Sequence, residues 1–368
     1  MKLVFTLTLL SIAMPATAVV YHVGPGMPFE RPSEAAAEAR DGDTIEIESG
    51  EYVGDVAVWT QNDLTIRGIN GKARLRANGN SAESKAIWVI KGDNTVVENI
   101  EFSGAVVEDQ NGAGIRLEGA NLTVRRCAFR NNENGILTGA NPASEILVEH
   151  SEFGHNGYGD GYSHNIYVGR IAKLTIRFSY FHHARVGHQI KSRAVENRIL
   201  FNRLMDERLG DSSYLIDLPE PGTAYVVGNE MQQGPRAENW ALVHSVQDLV
   251  LVNNTLANDR HSGLFVKLGG ETERSLLQNN LFVGKGTFEV GDAGMISNVH
   301  VQDGGFVDRR NYDYRLTRRS PAIDKGSPLE SVHLHEGAVD AEYLHIAGRS
   351  KRRSVGAIDV GAHEFSAP

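Results

Sequence analysis

The sequence predicts an all-β solenoid, with short parallel strands wound into coils of about 25 residues and a helix capping one end. Three observations predict it. The first is a repeat. The segments V-V-E-N-I-E-F, V-R-R-C-A-F, V-E-H-S-E-F, I-R-F-S-Y-F, I-L-F-N-R-L, V-V-G-N-E-M, V-L-V-N-N-T-L and L-L-Q-N-N-L align on a final apolar residue. Those residues are Phe102, Phe129, Phe153, Phe181, Leu204, Met231, Leu256 and Leu281, separated by 27, 24, 28, 23, 27, 25 and 25 residues. The second is composition. The 368 residues include 39 Gly and only 7% aromatics, which suits many short strands with tight corners. No segment between units is periodic enough for a crossover helix, so βαβ and leucine-rich arrangements are excluded. The third is the segment before the repeats, where Pro32-Ser33 and an Ala/Glu-rich run start a helix that covers the open end, with Ser33 as its cap.

Taken in order, residues 1–18 read as a secretory signal. Lys2 is its charged start, Leu3 to Met14 its apolar stretch, and Ala16-Thr17-Ala18 its cleavage site, leaving Val19 as the mature start. The apolar run is too short to span a bilayer. Residues 19–54 form the cap, 55–310 the coil, and 311–368 a tail packing on the far end of the coil. Each unit pairs an alternating strand with an Asn/Gly-rich turn and a second strand, as in H-N-I-Y-V-G and H-Q-I-K-S-R. Two positions before the anchors lie Ile100, Cys127, Ser151, Ser179, Asn202, Asn229, Asn254 and Asn279. Turned inward at a corner, these amides stack as a structural ladder.

The lone Cys127 forms no internal disulfide and reads as a small buried hydrophobe. Net charge is -9 for the whole chain, which argues against nucleic acid as a partner, although a local basic cleft still suits a polyanion. The expected protein is secreted or periplasmic, monomeric and without a membrane span.

The repeats and the ending F-V-D-R-R-N-Y-D-Y-R-L-T-R-R-S-P-A-I-D-K-G…G-A-I-D-V-G-A-H-E-F resemble right-handed parallel β-helix proteins of the pectate-lyase-like superfamily, as found among exported bacterial proteins. The resemblance covers nearly all of residues 20–366. It implies a right-handed coil but no single reaction, since the scaffold hosts lyases, hydrolases, epimerases and adhesins.

Chemistry concentrates in residues 159–194, which hold His164, His182, His183 and His188. Equivalent positions on successive coils stack about 4.8 Å apart. Side chains alternate in and out along each strand. With Ile166 and Val168 in the core, Asn165 and Tyr167 are expected to point out. With Ile190 and Ser192 inward, Lys191 and Arg193 point out. The same outer face gains Arg116 and Glu118 before them, and Asp217, His244 and Lys267 after them. This inventory suits β-elimination from a uronic acid, which needs a cation or amide on the carboxylate, a base near C5 and an acid for the leaving oxygen. Lys191, Arg193, His188 and Tyr167 are the expected catalytic groups, with Lys191, Tyr167 or His188 as base. The resemblance implies the same, because lyases of this fold commonly use Lys or Arg as base. Asn165, His164, His183, Asp217 and His244 are the expected substrate-binding groups.

Blander readings stand beside this one. Surface Lys and Arg decorate any coil, Asn165 suits a turn, and Tyr167 suits cross-coil stacking. Two other functions stay open, a glycoside hydrolase and a non-catalytic carbohydrate-binding protein. A hydrolase needs two facing carboxylates, for which Asp160, Asp211 and Asp217 are the candidates. No metal ligands are assigned, since neither H-E-x-x-H nor a Cys pair occurs. Calcium has only the loosely spaced acids from Asp206-Glu207 to Asp211 to recommend it, so the cofactor is left unknown.

Overall fold

The structure is a computed structural model that describes residues 18–270, 274–329, 339–353 and 355–366. The expected signal sequence, residues 1–17 of which fall outside this range, is not among the described elements. The chain forms a right-handed parallel β-helix. A narrow ten-stranded sheet runs from Ala57–Trp59 to Thr287–Glu289, one strand per coil. A larger 21-stranded sheet supplies the other two strands of each coil. Pairing between coils is parallel throughout, as in Phe129 against Phe153 and Phe153 against Phe181. The coil starts earlier than expected, because Val20–Val23 already pairs with Thr44–Ile47.

Alternation builds the core. In the strand Ile166–Val168 the two aliphatic residues are fully buried and Tyr167 is half-buried. Phe102, Phe129, Phe153 and Phe181 stack inside the coil with ring centroids 5.1, 4.6 and 4.6 Å apart. Trp59 and Trp88 extend this column toward the cap, 5.1 Å apart.

The amide ladder forms, with one slip. The backbone N–H groups of Ser179, Asn202, Asn229 and Asn254 donate in turn to the side-chain oxygens of Asn202, Asn229, Asn254 and Asn280, at 2.8 to 3.0 Å. The rung after Asn254 is Asn280 rather than Asn279, because Phe282 and not Leu281 lies opposite Leu256, and Asn280 N–H donates on to Asn298 Oδ1 at 2.9 Å. Asn279 instead binds Ser327 in the tail. The residue before each rung turns the corner in the left-handed region, for example Arg126 (φ 52), Phe178 (φ 53), Phe201 (φ 53) and Asn253 (φ 51). Such a conformation is strained for most side chains, and the ladder bond on the next residue holds it in place.

The capping helix spans Pro32–Glu38 and buries Ala35 and Ala36. Ser33 is not its cap. Arg31 occupies that position, Pro32 takes the first turn, and Glu34 Oε2 accepts from the Arg31 and Glu30 N–H groups. Ser33 Oγ reaches across to Asp55. The tail runs back along the flank of the coil instead of closing its end. Tyr343 packs with Tyr180, Met205 and Ala257, while Val339 and Ala341 pack with Phe178, Phe201 and Val227. Among the described helices none is long and apolar enough to cross a membrane.

Candidate active site

The outer row of the narrow sheet is set by register. Arg116 pairs with Leu137, Leu137 with Tyr167, Tyr167 with Lys191, Lys191 with Asp217, Asp217 with His244, and His244 with Lys267. The expected outward residues Tyr167, Lys191, Asp217, His244 and Lys267 therefore lie in one line across neighbouring coils. Arg193 follows immediately after the strand Ile190–Ser192 that carries Lys191.

Asp217 is the hub of that line. Its Oδ2 accepts from Lys191 Nζ at 2.8 Å, and its Oδ1 faces His244 Nδ1 at 2.7 Å. His188 Nε2 lies 3.3 Å from Oδ2. Burial works to raise the Asp217 carboxyl, but the His244 hydrogen bond and the nearby positive charges outweigh it and hold the group far below the usual carboxylate range. Because a carboxylate only accepts, His244 Nδ1 carries a proton toward Asp217, and in the neutral ring Nε2 is then the nitrogen with the lone pair. Beside the hub, Arg193 Nε donates to Tyr167 Oη at 2.9 Å, and its Nη1 pairs with Glu220. Arg170 reaches the same Glu220 at 3.6 Å.

Behind the row stands a stack of rings. His164 and His188 lie 4.7 Å apart and 7° from parallel, His188 and Tyr214 5.3 Å apart, and Tyr214 and His244 5.2 Å apart. The backbone N–H of His188 donates to His164 Nδ1, and that of Tyr214 donates to His188 Nδ1. This corrects the expected roles of two residues. His164 and His188 are buried, at 2% and 6% exposure, and both nitrogens of His188 are engaged. Burial brings His188 down to about 4 and His164 well below its ordinary value. They pack behind the row, held by the backbone of the next coil.

Asn165 is a further correction. It lies just before the strand, where the corner turns it inward, and it is fully buried. There it joins a chain of amides. Asn132 Nδ2 donates to Asn156 Oδ1, Asn156 Nδ2 to Asn165 Oδ1, Asn165 Nδ2 to Gln189 Oε1, and Gln189 Nε2 to Asp206 Oδ1. Every amide donates the same way, and the chain ends on a carboxylate. Asp206 is fully buried, which pushes it up to about 6 despite bonds from Ser212, Gly234 and Gln189. The suggested calcium acids are thus not gathered, since Asp206 points into the coil and Glu207 accepts from Tyr180 Oη at 2.9 Å.

His183 lies away from the row, at the corner that follows Tyr180–His182. It meets His182 (Nδ1 to Nδ1 2.9 Å) and stacks on His155 at 4.7 Å. Burial, then the neighbouring His182, lowers both, His155 to about 4. His155 was missed in the sequence. A signal existed, because it precedes His183 by 28 residues, the same gap that separates Phe153 from Phe181. Tyr214 and Glu220 were also absent from the expected site.

The fold class is now defined, and comparison with known proteins agrees with it. Residues 29–168 match the family model described as "Right handed beta helix region". The solved structure of pectate lyase Pel9A superposes with a TM-score of 0.68 at 15% identity, covering 95% of this chain and 97% of that one. The pectin methylesterase PemA from Erwinia chrysanthemi superposes with a TM-score of 0.41 at 9% identity, over 62% of this chain and 82% of that one. No curated protein matches the sequence. The likeness to that lyase is one of fold: the chain is a right-handed parallel β-helix.

Proposed function

We propose that this protein is an exported polysaccharide lyase that cleaves a uronate-containing polymer by β-elimination on the outer row of the narrow sheet. The observation that carries this reading is Asp217, buried and ionised, holding a cation and an imidazole side by side on an open face. In the proposed reaction Lys191 neutralises the sugar carboxylate, so the C5 proton becomes more acidic. His244 Nε2 takes that proton. The electron pair forms the C4–C5 double bond, and the C4–O4 bond breaks. Tyr214, half-buried and stacked on His244, is assigned the proton for the leaving oxygen. Burial, then the Asp217 charge, raises its hydroxyl above the ordinary range, which favours the proton-bearing form. The Arg193–Tyr167–Glu220 group lies on the same coils, displaced along the strand direction, and suits the neighbouring sugar unit.

Lys191 is assigned the cationic role and not that of base, because its ammonium is already paired with Asp217. Hydrolysis is less well supported. Asp217 is saturated by its three partners, and a carboxyl held that far down has no proton to give a leaving group. The fold shared with a pectate lyase makes pectate the first polymer to test. The test is a screen of pectate, alginate and glucuronate polymers read by the ultraviolet absorbance of the 4,5-unsaturated product. Lyase action gives that absorbance together with new reducing ends. New reducing ends without it would replace the lyase by a hydrolase, and binding without either product would make the protein a non-catalytic binder.

A further inference from the structure

From the juxtaposition of His155, His182 and His183 we propose a binding site for a divalent transition metal of the zinc class, separate from the Lys191–Asp217–His244 row. One nitrogen from each imidazole lies within 4.8 Å of the others. The coil itself creates this proximity. His155 and His183 occupy the same corner on successive coils, both in the left-handed region (φ 58 and φ 48); on the next coil Asp206 takes the matching register position and Glu207, one residue on, the left-handed conformation (φ 55). The His155 N–H donates to the His182 carbonyl, and the His183 N–H to that of Met205, so the column is set by the backbone ladder.

The ring of His182 is held for the purpose. Its Nε2 faces Glu152 Oε1 at 3.2 Å. A carboxylate there fixes the proton on Nε2 and leaves the lone pair on Nδ1, the arrangement found behind metal-bound imidazoles. Gly154 makes room for it, since a Cβ at that position would lie 2.2 Å from His182 Nε2. The Nδ1 atoms of His182 and His183 then meet at 2.9 Å. Two lone pairs at that distance repel, so a proton or a metal ion must lie between them. Two nitrogens on a tetrahedral zinc sit about 3.3 Å apart, so a few tenths of an ångström of opening admits the ion. On binding, His183 moves its proton from Nδ1 to Nε2, and Glu207 Oε2 lies 3.9 Å from that nitrogen. His155 supplies the third nitrogen, and its exposed side leaves the fourth position to water or a carboxylate.

The ion would brace the corner from which the chain runs, five residues on, to His188 behind the row. The site is tested on the full-length mature protein without added histidines, stripped of metal and titrated with Co(II) and with Zn(II). The expected result is one equivalent of either ion bound at micromolar concentration or tighter, a Co(II) visible spectrum of tetrahedral type, and a melting temperature raised by several degrees. His155→Asn and His183→Asn keep a residue that tolerates the left-handed corner, and each should weaken binding at least tenfold. Absence of stoichiometric binding to the wild type would overturn the proposal. So would wild-type affinity in both variants, which would place the ion elsewhere. If a variant fails to fold, X-ray absorption of the zinc-loaded wild type decides instead: three nitrogen donors support the site, and a shell of oxygen alone overturns it.

Discussion

At the scale of single residues, polar positions in and beside the strands of the narrow sheet divide sharply by environment. Lys191 and His244 stand on the open face, each held by Asp217, whereas Asn165 is locked within the coil. Substituting Asp217 by Asn should release both partners at once. The expected outcome is a loss of turnover of roughly 10²- to 10⁴-fold, the size of a general-base contribution, checked by initial rates on the polymer found active. Asn165→Ala should act differently. It removes a link from the buried amide chain, takes the partner from one Asn156 Nδ2 proton and from Gln189 Oε1, and lowers stability by roughly 1–3 kcal/mol for each group left unpaired, which denaturant unfolding would read. Residue-level reasoning from sequence put Tyr167, Lys191, Asp217 and His244 on one row, and the register has them in line, because each lies inside a strand where strict alternation holds. It misplaced Asn165 and His164 because both precede their strand, at a corner where alternation does not apply. It missed His155 because that residue acquires its partners only when one coil lies on the next.

At the scale of the element, each coil closes on a left-handed corner residue followed by a ladder rung. The rungs were legible as a column of Ser and Asn, with a one-residue slip at Asn279 that the doubled Asn279-Asn280 hides. Asn229→Ala should cost roughly 1–3 kcal/mol, because the Asn202 N–H and the Ile199 carbonyl lose their partners inside the coil. Circular dichroism melts would show the drop with strand content intact. The corner before the rung offers the opposite test. Arg126 is exposed at φ 52, where glycine meets no steric penalty. Arg126→Gly should leave stability unchanged or raise it by up to about 1 kcal/mol, whereas the same change at a right-handed surface position would lower it.

At the scale of the whole molecule, the tail is clamped to the coil flank by buried charge. His363 lies between Glu230 of the coil, at 2.7 Å, and Glu342 of the tail, at 3.2 Å. Burial disfavours its charge, but the two carboxylates outweigh burial and raise it to about 9. A group raised in the folded state contributes stability that is complete below its unfolded value near 6.5 and is lost as pH rises through about 9. The contribution is on the order of 3 kcal/mol. Melting temperature should therefore fall between pH 7 and pH 10, and His363→Gln should start lower and lose most of that slope. The repeat made the coil legible, but the tail's path was not, because its contacts join residues more than a hundred positions apart, such as Asn253 with Asp359. The most direct test of the proposed function is the rate of unsaturated-uronate formation by purified wild type, Lys191→Ala and His244→Ala proteins of equal melting temperature. The account predicts ultraviolet-absorbing product from the wild type and at least a hundredfold loss in both variants. Wild-type rates in both would contradict it.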